Sequence, residues 1–276
     1  MKYLITILFA IATNLNSNGQ ISVMSLNIRY DNPEDKENGW ESRKTDIKDM
    51  LQYYLPDFFG IQEGLNNQVN YLDQELLQYK YIGVGRDDGN IKGEYTAIYY
   101  DTTKHKLVKS NTYWLSKTPN TVSVGWDASM ERIVTYGAFM NKKAKDTLHI
   151  FNAHYDHMGD LARAESSKLI LDLIAKKKLQ NKTVIVMGDL NSIPTDTPIT
   201  LLKTELSDAF ETSKSPPYGP IGTFNQFNSN VIPKKRIDYI FTKNITVIKY
   251  RNINDKRKNN LYLSDHLPIM IEIEND

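Results

Sequence analysis

The chain has 276 residues, of which 40% are hydrophobic and 24% charged, with a formal net charge of +1. This is an ordinary globular composition, and its net charge does not predict electrostatic capture of nucleic acid, for which a local basic patch is the alternative source of attraction. Cysteine is absent, which excludes disulfides, thiolate metal sites, cysteine nucleophiles and a lipid anchor on an N-terminal cysteine.

The first segment has the pattern of an export signal. Lys2 provides a short positive region, residues 4–12 are almost wholly apolar, and polar or small residues follow at 14–20. We therefore expect a signal peptide over residues 1–19, a mature domain over residues 20–276, and a periplasmic or extracellular location. The apolar run is too short to span a bilayer, and a buried N-terminal strand or helix is the alternative.

The first half of the mature chain alternates strands and helices. Residues 21–28 predict a strand, and apolar residues at helical spacing over 47–55 predict a helix. Residues 58–62 then predict a buried strand. A second helix follows, with one apolar face made by Val69, Leu72, Leu76 and Leu77.

The middle of the chain is rich in strand-like runs, at residues 96–100, 107–115, 133–140 and 147–153. Their short connections favour antiparallel pairing. A helix over about 163–178 leads to a strand at 183–187, a proline-containing loop at 193–198, a long loop at 213–222, and strands near 237–241 and 268–273. The pattern predicts one α/β domain in which mixed sheets are flanked by helices.

Several predicted strands end in a polar residue of a chemically reactive type. These residues are Asn27, Glu63, His154, Asp189 and Asn191. One such residue often does no more than cap a strand, but α/β folds place ligands at strand ends, so their recurrence predicts a shared site.

The sharpest local signal is Ser264-Asp265-His266-Leu267-Pro268, where a histidine follows an acid and precedes an extended X-Pro segment. The carboxylates of Glu63, Asp189 and Asp265 are hard oxygen ligands, which suit Mg²⁺ or Mn²⁺ better than zinc. His154 and His266 offer proton transfer near neutral pH.

These residues resemble the endonuclease/exonuclease/phosphatase superfamily, which includes deoxyribonuclease I, inositol polyphosphate 5-phosphatases and neutral sphingomyelinases. The resemblance covers residues 21–274. Its elements, in family order, are Ser25-Leu26-Asn27-Ile28, Ile61-Gln62-Glu63, Asn152-Ala153-His154, Gly188-Asp189-Leu190-Asn191, Arg236-Ile237-Asp238-Tyr239 and Ser264-Asp265-His266-Leu267-Pro268.

The resemblance implies a four-layer α/β sandwich like that of deoxyribonuclease I, with two packed mixed β-sheets flanked by helices. It also implies a magnesium site, for which manganese is the alternative metal. Glu63 would be the principal ligand, helped by Asn27 and Asp265.

The resemblance further assigns the catalytic groups. His266 would act as the base at the attacking water, and Asp238 would orient it. Asp189 would bind or position that water, and Asn191 would hold a phosphate oxygen. His154 would contact the phosphate or help to protonate the leaving oxygen.

The implied activity is that of a secreted, metal-dependent phosphoesterase, which hydrolyses phosphate mono- or diesters by in-line attack of an activated water. The substrate would be a phosphorylated small molecule, or a lipid or nucleotide ester, and no protein partner is indicated. The alternatives are a nuclease, a sphingomyelinase-like phosphodiesterase, or a non-catalytic binding module with this fold.

Two further segments, Gly39-Trp40-Glu41-Ser42-Arg43 and Trp126-Asp127-Ala128-Ser129-Met130-Glu131-Arg132, resemble elements of exported bacterial members and the deadenylase-related branch. Arg43 and Arg132 would then clamp phosphate in a bidentate manner, and Trp126 would contact the substrate. The alternative is that the arginines form surface salt bridges and the tryptophans serve packing.

One rival motif lies at Asn152-Ala153-His154-Tyr155-Asp156-His157, which approximates the His-x-His-x-Asp-His zinc motif of metallo-β-lactamase-like hydrolases. Asn152 replaces its first histidine, and the chain has five histidines in all. A dinuclear zinc site would be hard to build from them, and it would leave Glu63 and Asp238 unexplained.

Overall fold

The computed structural model describes residues 20–274, so the predicted signal peptide lies outside the described residues. The strands, in chain order, are β1 Ile21–Asn27, β2 Phe58–Gln62, β3 Tyr79–Ile82, β4 Ile98–Asp101, β5 His105–Trp114, β6 Ile133–Asn141, β7 Thr147–His154, β8 Thr183–Asp189, β9 Ser207–Asp208, β10 Asp238–Lys243, β11 Thr246–Asn252 and β12 Ile269–Glu274. The helices are α1 Trp40–Tyr54, α2 Asn66–Glu75, α3 Asp160–Lys176, α4 Thr197–Leu202 and α5 Ala209–Thr212, with a 3₁₀ helix at Pro33–Asn38.

These strands form two mixed sheets of six strands each. The spatial order is β11-β12-β1-β2-β4-β3 in the first sheet and β5-β6-β7-β8-β10-β9 in the second. Each sheet has one parallel pair near its centre, β1 with β2 and β7 with β8, and β5, β6 and β7 pair antiparallel as the sequence predicts.

Three apolar clusters hold the four layers together. One lies between the sheets, the second packs α1 and α2 on the first sheet, and the third packs α3 and α4 on the second. The alternation along β8 explains this arrangement, because Val184 and Val186 face the helices whereas Ile185 and Met187 face the other sheet. The predicted four-layer sandwich is therefore confirmed.

The structure corrects some of the predicted helix boundaries. Helix α2 ends at Glu75, so Leu77 is 83% exposed rather than part of the apolar face. Helix α3 begins at Asp160, three residues before the predicted start, because the Asp127 carboxylate accepts hydrogen bonds from the backbone N–H groups of Leu161 and Ala162. Strands β3, β9 and β11 and the short helices were not predicted.

A buried polar bridge joins the sheets beneath the strand ends. Gln62 donates to the Asn152 side-chain oxygen at 2.7 Å, and the Asn152 amide donates to the carbonyls of Ile61 and Ala97. A Cβ at Gly60 would lie 2.8 Å from the Asn152 side chain, so this approach requires glycine. Within residues 20–274, no helix is long and apolar enough to cross a membrane.

Candidate active site

The strand ends of both sheets meet at one end of the sandwich. Strand register places His154 beside Asp189, and Asp238 opposite Asp189. The Asn27 amide nitrogen, at the end of β1, donates to Glu63 at 2.9 Å and to Asp189 at 3.0 Å. Because Asp189 belongs to the other sheet, Asn27 ties the two halves of the site together.

A carboxylate and an imidazole form a close buried pair in this site. His266 Nδ1 lies 2.8 Å from Asp238 Oδ2, and His266 Nε2 lies 3.7 Å from Asp189 Oδ2. Burial opposes a charge on the ring, but Asp238 and Asp189 outweigh it and raise the pKa of His266 well above its ordinary value. Asp238 therefore orients the ring of His266 and stabilises its protonated form.

Negative charge is in excess at the site. Burial, and then the Asp238 carboxylate, raises the pKa of Asp189, while burial raises that of Asp265 against the influence of His266. The second oxygen of Asp238, Oδ1, is buried and accepts no hydrogen bond from the described residues.

Two sets of side chains have ligand atoms close enough to share a cation. The sets are Glu63, His154 and Asp189, and Asp189, Asp238 and His266. These oxygen-rich sets fit a hard divalent cation, which would offset the excess negative charge.

Arg29 is a cation of the site that the sequence analysis missed. Its guanidinium pairs with Asp35 at 2.9 Å and lies 4.0 Å from Glu63 and 3.9 Å from Asp265. The sequence did contain a signal for Arg29, because this residue follows the end of β1 by two positions and the other strand-end residues of the site lie at or just after the ends of their strands. The Asn27 side-chain oxygen accepts from the Arg29 backbone N–H, so in this arrangement the amide nitrogen of Asn27 faces the carboxylates.

His154 lies beside Arg132, whose Nη1 is 3.2 Å from both ring nitrogens, and its Nδ1 lies 3.5 Å from Glu94. Burial, and then the positive charge of Arg132, lowers the pKa of His154 to about 3. A neutral imidazole favours the predicted phosphate contact over proton donation. Glu94 was also missed, and its loop position gave no strand-end signal.

Asn191 and Asp189 are positioned by their own turn. The Asn191 backbone N–H donates to Asp189 Oδ1 at 3.0 Å, and the Asn191 amide donates to the Tyr155 carbonyl at 3.0 Å. The amide keeps one N–H for a phosphate oxygen. The backbones of Asn191 and Glu63 are both in the left-handed conformation, with φ of 46° and 63°. This conformation is unusual for residues other than glycine, and such strained positions cluster at functional sites.

The three residues that the sequence analysis assigns to substrate binding have different surroundings. Arg43 is fully buried and donates to four backbone carbonyls, those of Asn38, Ile28, Leu263 and Arg29. Arg132 is 4% exposed and directs its donors at Asp156, His154 and His157. This geometry favours a structural role for Arg43 and a positioning role for Arg132.

Trp126 is partly exposed and left-handed, with φ of 47°. Its segment is held by hydrogen bonds between Asp127 and the start of α3 and between Ser129 and Asp156. A substrate contact by Trp126 stays a prediction.

Comparison with known proteins agrees with this geometry. The profile of the Endonuclease/Exonuclease/phosphatase family matches residues 15–266. A family member from Bacteroides thetaiotaomicron superposes with a TM-score of 0.89 at 36% identity, covering 94% of this chain and 98% of that one. The mannosyl-6-phosphatase of Bacteroides thetaiotaomicron VPI-5482 superposes with a TM-score of 0.88 at 35% identity, covering 92% and 99%.

More distant similarities extend beyond Bacteroides. The single-strand-DNA complex of TDP2 from D. rerio has a TM-score of 0.73 at 20% identity, covering 94% of this chain and 100% of that one, and this likeness shows the fold alone. Uncharacterized protein L388 of Acanthamoeba polyphaga mimivirus is 30% identical over 164 residues, which are 55% of this chain and 59% of that protein.

Proposed function

The chain belongs to the endonuclease/exonuclease/phosphatase family, and from this premise we propose that it is a secreted, Mg²⁺-dependent phosphomonoesterase acting on sugar phosphates. Its class is that of a hydrolase of phosphoester bonds. The reaction would transfer the phosphoryl group to water without a covalent enzyme intermediate.

The buried His266–Asp238 pair carries the proposal. With His266 Nδ1 at 2.8 Å from Asp238, the opposite ring nitrogen faces Asp189 at 3.7 Å and would accept a proton when the ring is neutral. A water held by Asp189 would give its proton to His266 as it attacks phosphorus. Asp238 would stabilise the resulting imidazolium.

The predicted metal ligands would hold the cation. Glu63 would bind it together with Asp265, because carboxylate oxygens are the donors that Mg²⁺ prefers. The Asn27 oxygen, which accepts from the Arg29 backbone N–H, would join them only with the Asn27 amide turned over. When bound, such an ion offsets charge on the phosphate oxygens. His154 and Asn191 would each donate a hydrogen bond to the phosphate.

The choice of substrate is supported by similarity to the Bacteroides mannosyl-6-phosphatase, at 35% identity over 92% of this chain. The likeness to a DNA-bound relative is much weaker, at 20% identity. The near-zero net charge also disfavours nucleic acid, whose binding draws on basic residues.

A hydrolysis panel tests this proposal. We expect the protein to hydrolyse mannose 6-phosphate and p-nitrophenyl phosphate in Mg²⁺ or Mn²⁺, and to lose both activities in EDTA. Cleavage confined to bis-p-nitrophenyl phosphate or single-stranded DNA would make it a diesterase instead. Activity that survives EDTA would overturn the metal assignment, and inactivity on every substrate would favour the binding module.

Secretion rests on the apolar run near Lys2 and has its own test. We expect the N-terminal sequence of the protein recovered from the periplasm or medium of an expressing bacterium to begin near Gly19 or Gln20. Retention of the full-length chain in the cytoplasm would contradict the proposed export.

A further inference from the structure

His157 is an exposed imidazole attached to the buried core of the site. Arg132 Nη2 lies 2.8 Å from its Nδ1, while Arg132, His154 and Asp156 are all buried. The sequence placed His157 in a rejected zinc motif, and no role in the reaction described so far uses it.

Arg132 determines which ring nitrogen of His157 can donate. A guanidinium carries only donors, so Nδ1 of His157 must accept and the ring proton of the neutral imidazole lies on Nε2. The opposite edge of the ring therefore presents a neutral N–H donor.

The contacts that hold Arg132 also fix this ring. Arg132 Nε lies 3.3 Å from Asp156 Oδ1, which also accepts from the Ser129 hydroxyl at 2.9 Å. The other Asp156 oxygen accepts from the backbone N–H groups of Met158 at 2.9 Å and Gly159 at 2.7 Å. The Asp156 carboxylate, which is buried and accepts several hydrogen bonds, thus holds Arg132 in place. Arg132 in turn orients the His157 ring and its Nε2–H donor before substrate binds.

His157 is also connected to the reacting groups. The same guanidinium touches His154, whose Nε2 lies 3.6 Å from Asp189 Oδ2, and Asp189 is the neighbour of His266. Arg132, His154, Asp189 and His266 are all buried, whereas His157 is exposed. A phosphate held at the buried groups would extend its alcohol portion toward the solvent side, where His157 lies.

We propose that His157 is a specificity-determining residue, whose Nε2–H donates a hydrogen bond to a hydroxyl oxygen of the sugar that leaves the phosphate. This inference rests on the proposed sugar-phosphate function. A neutral donor suits a hydroxyl better than a phosphate, for which a cation is the stronger partner. Arg132, the cation that contacts His157, is buried against the two histidines and Asp156.

The test compares two substrates with the same phosphate. Mannose 6-phosphate has hydroxyl groups on its leaving alcohol, whereas p-nitrophenyl phosphate has none. We expect His157→Phe to lower kcat/KM for mannose 6-phosphate about tenfold, mainly by raising KM, because one neutral hydrogen bond is lost from both ground and transition states. Its kcat/KM for p-nitrophenyl phosphate should change less than about threefold.

Two further variants separate this role from simple support of the fold. His157→Gln places an amide N–H near the position of Nε2 and should restore most of the lost kcat/KM. His149→Asn, on the outer face of β7, should leave both substrates unaffected. An equal loss on both substrates, or no loss on either, would refute the role of His157.

The wild-type enzyme distinguishes failure of this inference from failure of the proposed function. If it hydrolyses mannose 6-phosphate but His157→Phe shows no selective loss, only the role of His157 is refuted. If it does not hydrolyse mannose 6-phosphate, both the sugar-phosphate function and the role of His157 are refuted.

Discussion

Asp238→Asn should remove most of the catalytic rate while leaving the fold intact. At 2.8 Å, an Asp238–imidazolium pair in an effective dielectric of about 20 is worth about 6 kcal/mol before desolvation is counted. The amide has the same shape but no charge. It can also donate to Nδ1, which would place the ring proton on Nε2 and block proton acceptance from water.

Because desolvation of the pair offsets part of the attraction, we expect a loss of about 4–5 kcal/mol, which is about a 10³- to 10⁴-fold fall in kcat. The assay is steady-state hydrolysis of p-nitrophenyl phosphate with Mg²⁺, with thermal unfolding measured on the same samples. Asp238 Oδ1 has no hydrogen-bond partner among the described residues, so the amide breaks no second contact.

Asp208→Asn is the matched control for this variant. Asp208 is a buried carboxylate of the same sheet that pairs with Arg236 at 2.8 Å. Its amide variant should lose stability and retain activity within about threefold, because a broken buried pair destabilises the fold without touching the site. A fall of less than about tenfold in folded Asp238→Asn, or the same fall in both variants, would refute the assigned role.

Three other substitutions test separate features. Glu63→Gln should weaken Mg²⁺ binding in calorimetric titration and lower activity at least 100-fold with little change in Tm, since the ligand charge is lost and the shape is kept; unchanged binding would remove Glu63 from the metal site. Arg43→Met should lower Tm by about 10 °C, because four carbonyls lose a donor at a total cost of about 4 kcal/mol or more; an unchanged Tm with a raised KM would instead support the phosphate clamp. Burial, and then the charges of Lys182 and Lys177, lowers the pKa of His149 to about 4 in the folded protein. The neutral His149 ring therefore makes its full contribution to folding stability above about pH 6.5, and this contribution declines as the pH falls towards about 4. Partial exposure reduces that contribution to about 1–2 kcal/mol, and urea unfolding of His149→Asn should show a flatter pH dependence over this interval.

The local sequence pattern was sufficient to predict the main helices and strands and most residues of the candidate site. Alternation and helical spacing predict the central strands and the two long helices, because the faces that they bury repeat within a short stretch of chain. Asn27, Glu63, His154 and Asp189 could be selected from the sequence because they follow apolar runs, and the structure brings them together. The short elements β3, β9 and β11 lacked such a signal, since their pairing depends on neighbours distant in sequence.

The sequence by itself determined the fold, the family and the reactive residue types, because strand periodicity and strand-end chemistry are local properties. Only the tertiary structure decided what each cation faces. Arg43 bonds to carbonyls as far along the chain as Leu263, and Arg132 is oriented by Asp156, His154 and His157. The direction and charge environment of a long side chain are set by partners from several elements, and those partners meet only when the two sheets pack.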